Sequence, residues 1–116
     1  MKQDALQMSL LLDYYGGMLT EKQRVCLDLR FNQDLSLGEI AENLGISRQA
    51  VCDNLTRTEA ALRKMEKALG CVSRDRKVHA AADKIMSAAR ILSGIPDPSV
   101  STLAQQIVAA AQELEE

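Results

Sequence analysis

Apolar residues recur along this chain at helical spacing, and nowhere do they alternate with polar ones as in a half-buried strand. From Asp4 to Tyr15 a helix-like mix runs up to Gly16-Gly17, a stop signal. Thr20-Glu-Lys-Gln23 has the form of a capping box, in which a hydroxyl and an amide satisfy reciprocal backbone donors. It predicts a helix reaching Arg30 or Phe31 with Val25, Cys26 and Leu29 inward. After the polar turn Asn32-Gln-Asp34, Ser36-Leu-Gly-Glu39 is a second such box. The short helix it opens turns Leu37, Ile40, Ala41 and Leu44 inward and is closed by Gly45, since a left-handed backbone position suits glycine.

Ser47 can cap the following helix, whose inward positions are Val51, Leu55, Thr58, Leu62, Met65 and Leu69. They fall alternately four and three apart until Gly70. So long a seam exceeds what three short upstream helices are expected to cover, which leaves its second half for the C-terminal region or another copy of the chain. Composition shifts after Ser73: the last 44 residues hold nine alanines, against six in the first 72. Val78, Ala82, Ile85, Ala89 and Leu92 form a second seam, and both prolines, Pro96 and Pro98, break the chain between Gly94 and Ser99. A last helix would carry Leu103, Ile107, Ala110 and Leu114 on one face, with Thr102-Leu-Ala-Gln105 as its capping box. The expected fold is all-α: a domain at 1–72 and an alanine-rich helical hairpin at 73–116.

Composition narrows the function. Tyr14, Tyr15 and Phe31 are the only aromatics, too few for a protein that stacks several unpaired bases. Fourteen basic against sixteen acidic residues give a net charge of −2, so the chain is no polycationic nucleic-acid coat. Three scattered cysteines form no CxxC pair, and the single His79 cannot complete a zinc set, so no metal or cofactor is expected. His79 lies in a polar stretch with no acid, cysteine or second histidine spaced to join it. With neither a secretory signal pattern nor a membrane-length apolar run, a cytoplasmic, non-membrane protein with reduced thiols is the expectation. No nucleophile–base pair or ligand cluster points to an enzyme.

The most specific signal is LGEIAENLGISRQAVCDNL at 37–55, which has the order of a helix-turn-helix. Ala41 is small where two helices would cross, Gly45 turns the chain, Ile46 would plug the turn, and Val51 and Leu55 anchor the second helix. Arg48, Gln49, Cys52, Asp53 and Thr56 then face outward. Arginine can read guanine and glutamine adenine through paired hydrogen bonds, so Arg48 and Gln49 are the base-reading candidates. Ser47 and Thr56 flank them, and Lys22, Arg24 and Arg57 are candidates for phosphate contact. Against this stand Asp53 on the presented face and a margin of only five basic over three acidic residues between Arg48 and Lys67. A competing class is therefore a protein–protein adaptor whose helix-turn-helix is only a scaffold.

Residues 19–51, LTEKQRVCLDLRFNQDLSLGEIAENLGISRQAV, resemble region 4 of bacterial sigma factors, the domain that reads the −35 promoter element. LLLDYYGGMLTEKQR at 10–24 and the signature SRQAV-x-DN-x-x-R-x-E from Ser47 resemble the YlxM family of small bacterial helix-turn-helix proteins. That resemblance implies a cytoplasmic, non-enzymatic regulator linked to the signal recognition particle genes. Its targets would be DNA, or the particle's RNA or protein. A homodimer through Leu62–Leu69 and the C-terminal hairpin would supply two reading helices.

Overall fold

A computed structural model describes residues 2–115. Its helices are α1 (Lys2–Tyr15), α2 (Glu21–Phe31), α3 (Leu37–Leu44), α4 (Arg48–Leu69), α5 (Cys71–Ser93) and α6 (Pro98–Glu113), with one 3-10 turn at Gly16–Met18. No strand occurs among the described residues, and the fold is all-α. The chain divides into two compact units, Met1–Val72 and Ser73–Glu116. None of the described helices is long and apolar enough to cross a membrane.

Both capping boxes form as their sequences require. The Thr20 hydroxyl accepts from the Gln23 N–H at 3.2 Å while Gln23 Oε1 accepts from the Thr20 N–H at 3.1 Å. Ser36 and Glu39 repeat the exchange at 3.1 and 3.0 Å. Gly45 and Gly70 end their helices at φ values of 68° and 63°, where a side chain would crowd the backbone.

In the first unit, α1, α2 and α3 all pack on α4. Val51, Leu55, Thr58 and Leu62 of α4 are buried, facing Met8, Leu11, Leu12 and Tyr15 of α1, Cys26, Leu27 and Leu29 of α2, and Ile40 and Ala41 of α3. Thr58 is fully buried, and its hydroxyl donates to Asn54 Oδ1 at 3.2 Å. The seam is covered further than expected: α1 packs on α4, Leu62 is fully buried in the shared core and Met65 half-buried against it. Leu62 is thus unavailable as a dimer surface, while Leu69 stays 57% exposed.

The first turn of α5 is held to this unit by side chains from elsewhere in the sequence. The Tyr15 hydroxyl donates to Glu66 Oε1 at 2.5 Å and accepts from the Cys71 N–H at 3.1 Å. Glu66 Oε1 also accepts from the Val72 N–H at 3.1 Å. Helix starts leave such N–H groups unpaired, so the phenol and carboxylate together do the work of a cap. Burial, then the bond to Glu66, pushes the Tyr15 hydroxyl up to about 12.

The second unit is a helical hairpin built on alanine. Ala82 and Ala89 of α5 and Ala104 and Ala111 of α6 are its buried residues. Each set is seven residues apart, and Ala82 with Ala111, like Ala89 with Ala104, is equidistant from the turn at 96–97. That register pairs small side chains across the hairpin. Most other residues of the expected seams lie outside it: Ile85 and Leu92 on α5, and Leu103, Ile107, Ala110 and Leu114 on α6, are exposed, while Val78 is half-buried. The small residues thus face the hairpin interior, and the leucine and isoleucine edges face solvent. Nor does α6 begin at Thr102. Asp97 caps it, accepting from the Ser99 N–H at 2.9 Å, with Pro98 at its first position. His79 is not isolated either, since Asp83 and Glu115 reach its two ring nitrogens.

Two outcomes follow for the first unit. Leu62→Ala removes a fully buried side chain from the centre of the α4 face and should cost about 2–5 kcal/mol in urea unfolding. Tyr15→Phe removes the acceptor of the Cys71 N–H, so hydrogen exchange at Cys71 should accelerate while the amides of α3 keep their protection. Unchanged exchange at Cys71 would show that the phenol does not hold this helix start.

Candidate nucleic-acid interface

The helix-turn-helix consists of α3, the turn Gly45-Ile46-Ser47, and α4. Its turn closes through the backbone: the Ile46 N–H donates to the Ala41 carbonyl at 3.1 Å and the Gly45 N–H to Glu42 at 3.3 Å. The Ile46 side chain, expected to plug the turn, is 41% exposed. Ser47 caps α4, its hydroxyl accepting from the Ala50 N–H at 3.0 Å. That bond fixes the direction in which α4 leaves the turn.

With Val51 and Leu55 buried, Ser47, Arg48, Gln49, Asp53, Thr56 and Arg57 are all exposed at the start of α4. Two of them are already engaged. Gln49 Nε2 donates to Asp53 Oδ1 at 3.0 Å, one turn along the same helix. Asp53 thus takes one of the two amide hydrogens of Gln49 and orients the side chain, while the second hydrogen and Oε1 keep the donor and acceptor that adenine requires. The Arg48 side chain lies back across the first turn of α3. A Cβ placed on Gly38 would stand 3.0–3.3 Å from its guanidinium atoms. Arg48 thus lines an open cleft of about 480 Å³ with Ser36, Gly38, Glu39 and Glu42.

The phosphate candidates separate. Arg57 shares a 310 Å³ groove between α2 and α4 with Gln23, Ala50, Asp53 and Asn54. Arg24 lines a different groove, of about 460 Å³, with Leu12, Asp13, Gly16 and Asp28 on the α1 side of α2. Lys22 is exposed in the first turn of α2. Among the described residues none of Lys22, Arg24, Arg48 and Arg57 is tied up in an ion pair. Gln49 and Thr56 share the outer surface of α4, with Arg48 to one side over α3 and Arg57 to the other toward α2, whereas Arg24 lies on the α1 side of α2. Gly38, Gln23 and Asn54 escape the sequence reading. Only the smallness of Gly38, two residues after a capping serine, hints at an arginine seated above it.

Glu39 links this surface to the fold. Its carboxyl lies below the ordinary value of 4.5 because it accepts from the Ser36 backbone N–H. A carboxyl lowered by folding contributes stability that is present above its unfolded pKa and lost as pH falls through its folded one. Wild-type protein should therefore be more stable than Glu39→Gln at neutral pH, and the difference should close on acidification below the glutamate range. A pH-independent difference in unfolding midpoints would contradict this role for the charge.

Comparison with known proteins places this geometry. Residues 2–94 match the model of the helix-turn-helix protein family UPF0122, "YlxM / p13 like". A UPF0122 protein of Thermoanaerobacter sp. is 41% identical over 115 residues, covering 98% of each chain. One from Lacticaseibacillus casei is 41% identical over 102 residues, 87% of this chain and 88% of its own. One from Acetivibrio thermocellus reaches 56% over 66 residues, 57% of this chain and 56% of its own.

Proposed function

Because the chain belongs to the UPF0122 family of YlxM/p13-like helix-turn-helix proteins, we propose that it is a non-enzymatic cytoplasmic regulator that binds nucleic acid, DNA in the first place, through the exposed start of α4. Membership of a helix-turn-helix family supports a nucleic-acid-binding regulator in general. The observation that carries the finer reading is that Gln49 and Thr56 stand exposed on the outer face of α4, flanked by exposed Arg48 and Arg57, on the helix that such motifs lay in the major groove. In this reading Arg48 and Gln49 contact base edges, Ser47 and Thr56 flank them, and Lys22 and Arg57 meet phosphates, with Arg24 at the margin. One domain makes few contacts, so a homodimer is proposed, with Leu69 and the exposed apolar edges of the hairpin as its surfaces. The signal recognition particle pathway that the resemblance implies makes the particle's RNA the second probe.

A protein–protein adaptor is the second reading. It is favoured by Ile91, Leu103 and Leu114, which are 57–77% exposed on the hairpin, and by the Asp53–Gln49 bond on the reading face. Salt separates the two. Anisotropy of labelled duplex from the protein's own operon, beside the particle's RNA, should show affinity falling steeply with salt. Arg48→Ala/Gln49→Ala should abolish sequence preference, and Arg57→Ala should lower the log–log salt slope by about 1. No binding to either probe at low salt would overturn the nucleic-acid reading in favour of the adaptor.

A further inference from the structure

The buried side chains of the hairpin at 73–116 are four alanines, so little apolar surface leaves water when it folds alone. Units of this size commonly complete their core by oligomerising. The apolar surface that the hairpin lacks inside is gathered on one flank. Ile85, Leu92, Ile107 and Leu114 stand three residues after Ala82, Ala89, Ala104 and Ala111 in turn, about 60° round the helix and always in the same sense. Because α5 and α6 run antiparallel, that shared sense carries all four large residues to one side of the hairpin. The other flank is polar: His79 and Glu115, displaced the opposite way from Ala82 and Ala111, meet there at 3.0 Å.

We propose that a second copy of the chain covers this face, the two hairpins packing as a four-helix bundle with α5 of each copy over α6 of the other. This rests on the homodimer of the preceding reading and gives it one defined surface. A two-fold axis parallel to the helices keeps every residue at its own height, so the Ile85–Ile107 and Leu92–Leu103 layers each meet their own counterpart. Over about 25 Å of helix length and two helix widths of about 10 Å, the face covers about 500 Å2 per copy. The pair would bury about 1,000 Å2, the lower bound of a specific interface, which fits a reversible dimer. Charge orients the copies: α5 carries five basic residues against two acidic, whereas α6 carries Glu113 and no base. With α5 over α6, Lys77 and Lys84 stand at the rim beside Glu113 of the second copy, while α5 over α5 would set like charges together. The first unit does not supply the cover, since its most exposed large apolar residues, Leu6, Met18, Ile46 and Leu69, come singly from α1, the 3-10 turn, the turn before α4 and the end of α4.

The test uses the full chain. Light scattering across a concentration series should show a reversible monomer–dimer equilibrium. Ile85→Gln/Ile107→Gln should raise its dissociation constant by at least about tenfold, with far-ultraviolet circular dichroism unchanged. A cross-link tests the pairing without removing any apolar contact. Ala81 and Ala110 stand one residue before Ala82 and Ala111, so both point out of the face, and the bundle sets Ala81 of one copy against Ala110 of the other. Within one copy they are a helix spacing apart, about 8–10 Å, beyond the reach of a disulfide. Ala81→Cys/Ala110→Cys should therefore oxidise to a covalent dimer, whereas wild type and either single variant should not. A monomer at every concentration would overturn both the bundle and the homodimer. A dimer that survives the glutamine variant, or that the paired cysteines do not trap, would overturn the bundle alone.

Discussion

Residues 2–72 depend on a single buried stripe along α4. Val51, Leu55, Thr58 and Leu62 recur at alternating spacings of four and three, and α1, α2 and α3 all pack against that helix. A helix has one azimuth to give, and about 100° separates neighbouring residues around its axis. Committing Val51 and Leu55 to the core therefore decides that Gln49, Asp53 and Thr56 face solvent. The stripe that stabilises the unit is thus also what aims the candidate reading surface.

Features set by a few adjacent residues were legible in the chain. Thr20 with Gln23, Ser36 with Glu39, Ser47, Gly45 and Gly70 mark helix ends through local hydrogen bonds or backbone geometry, and they stand where their chemistry places them. Features set by tertiary packing were less so. Nothing in the spacing of α1 announces that Tyr15 would satisfy the first N–H of α5, because its partner is 56 residues away. The hairpin misleads for another reason. Large apolar residues weigh most in any periodicity, yet the positions buried in this hairpin are alanines. Ala104 and Ala111 are buried while Leu103 and Ile107 are not.

At the candidate interface, the outward set of side chains was readable but their conformations were not. Arg48 turns back over Gly38, and Gln49 bonds Asp53. Both restraints are exposed and cheap to break, so nucleic acid would compete with them at modest cost. Asp53 consequently has two roles open to it: partner of Gln49 in the free protein, and acceptor for a cytosine amino group in a complex. The cations of the surface are few, and Arg24 sits in a groove apart from Arg57.

Amide shift mapping of the labelled protein against short DNA duplexes and the signal recognition particle's RNA tests the central claim most directly. The proposed interface predicts perturbations concentrated at 47–57 and in the first turns of α2 and α3, shrinking as salt rises. Perturbations confined to α5 and α6, or none there or on α4 with either nucleic acid, would contradict a reading role for this helix-turn-helix.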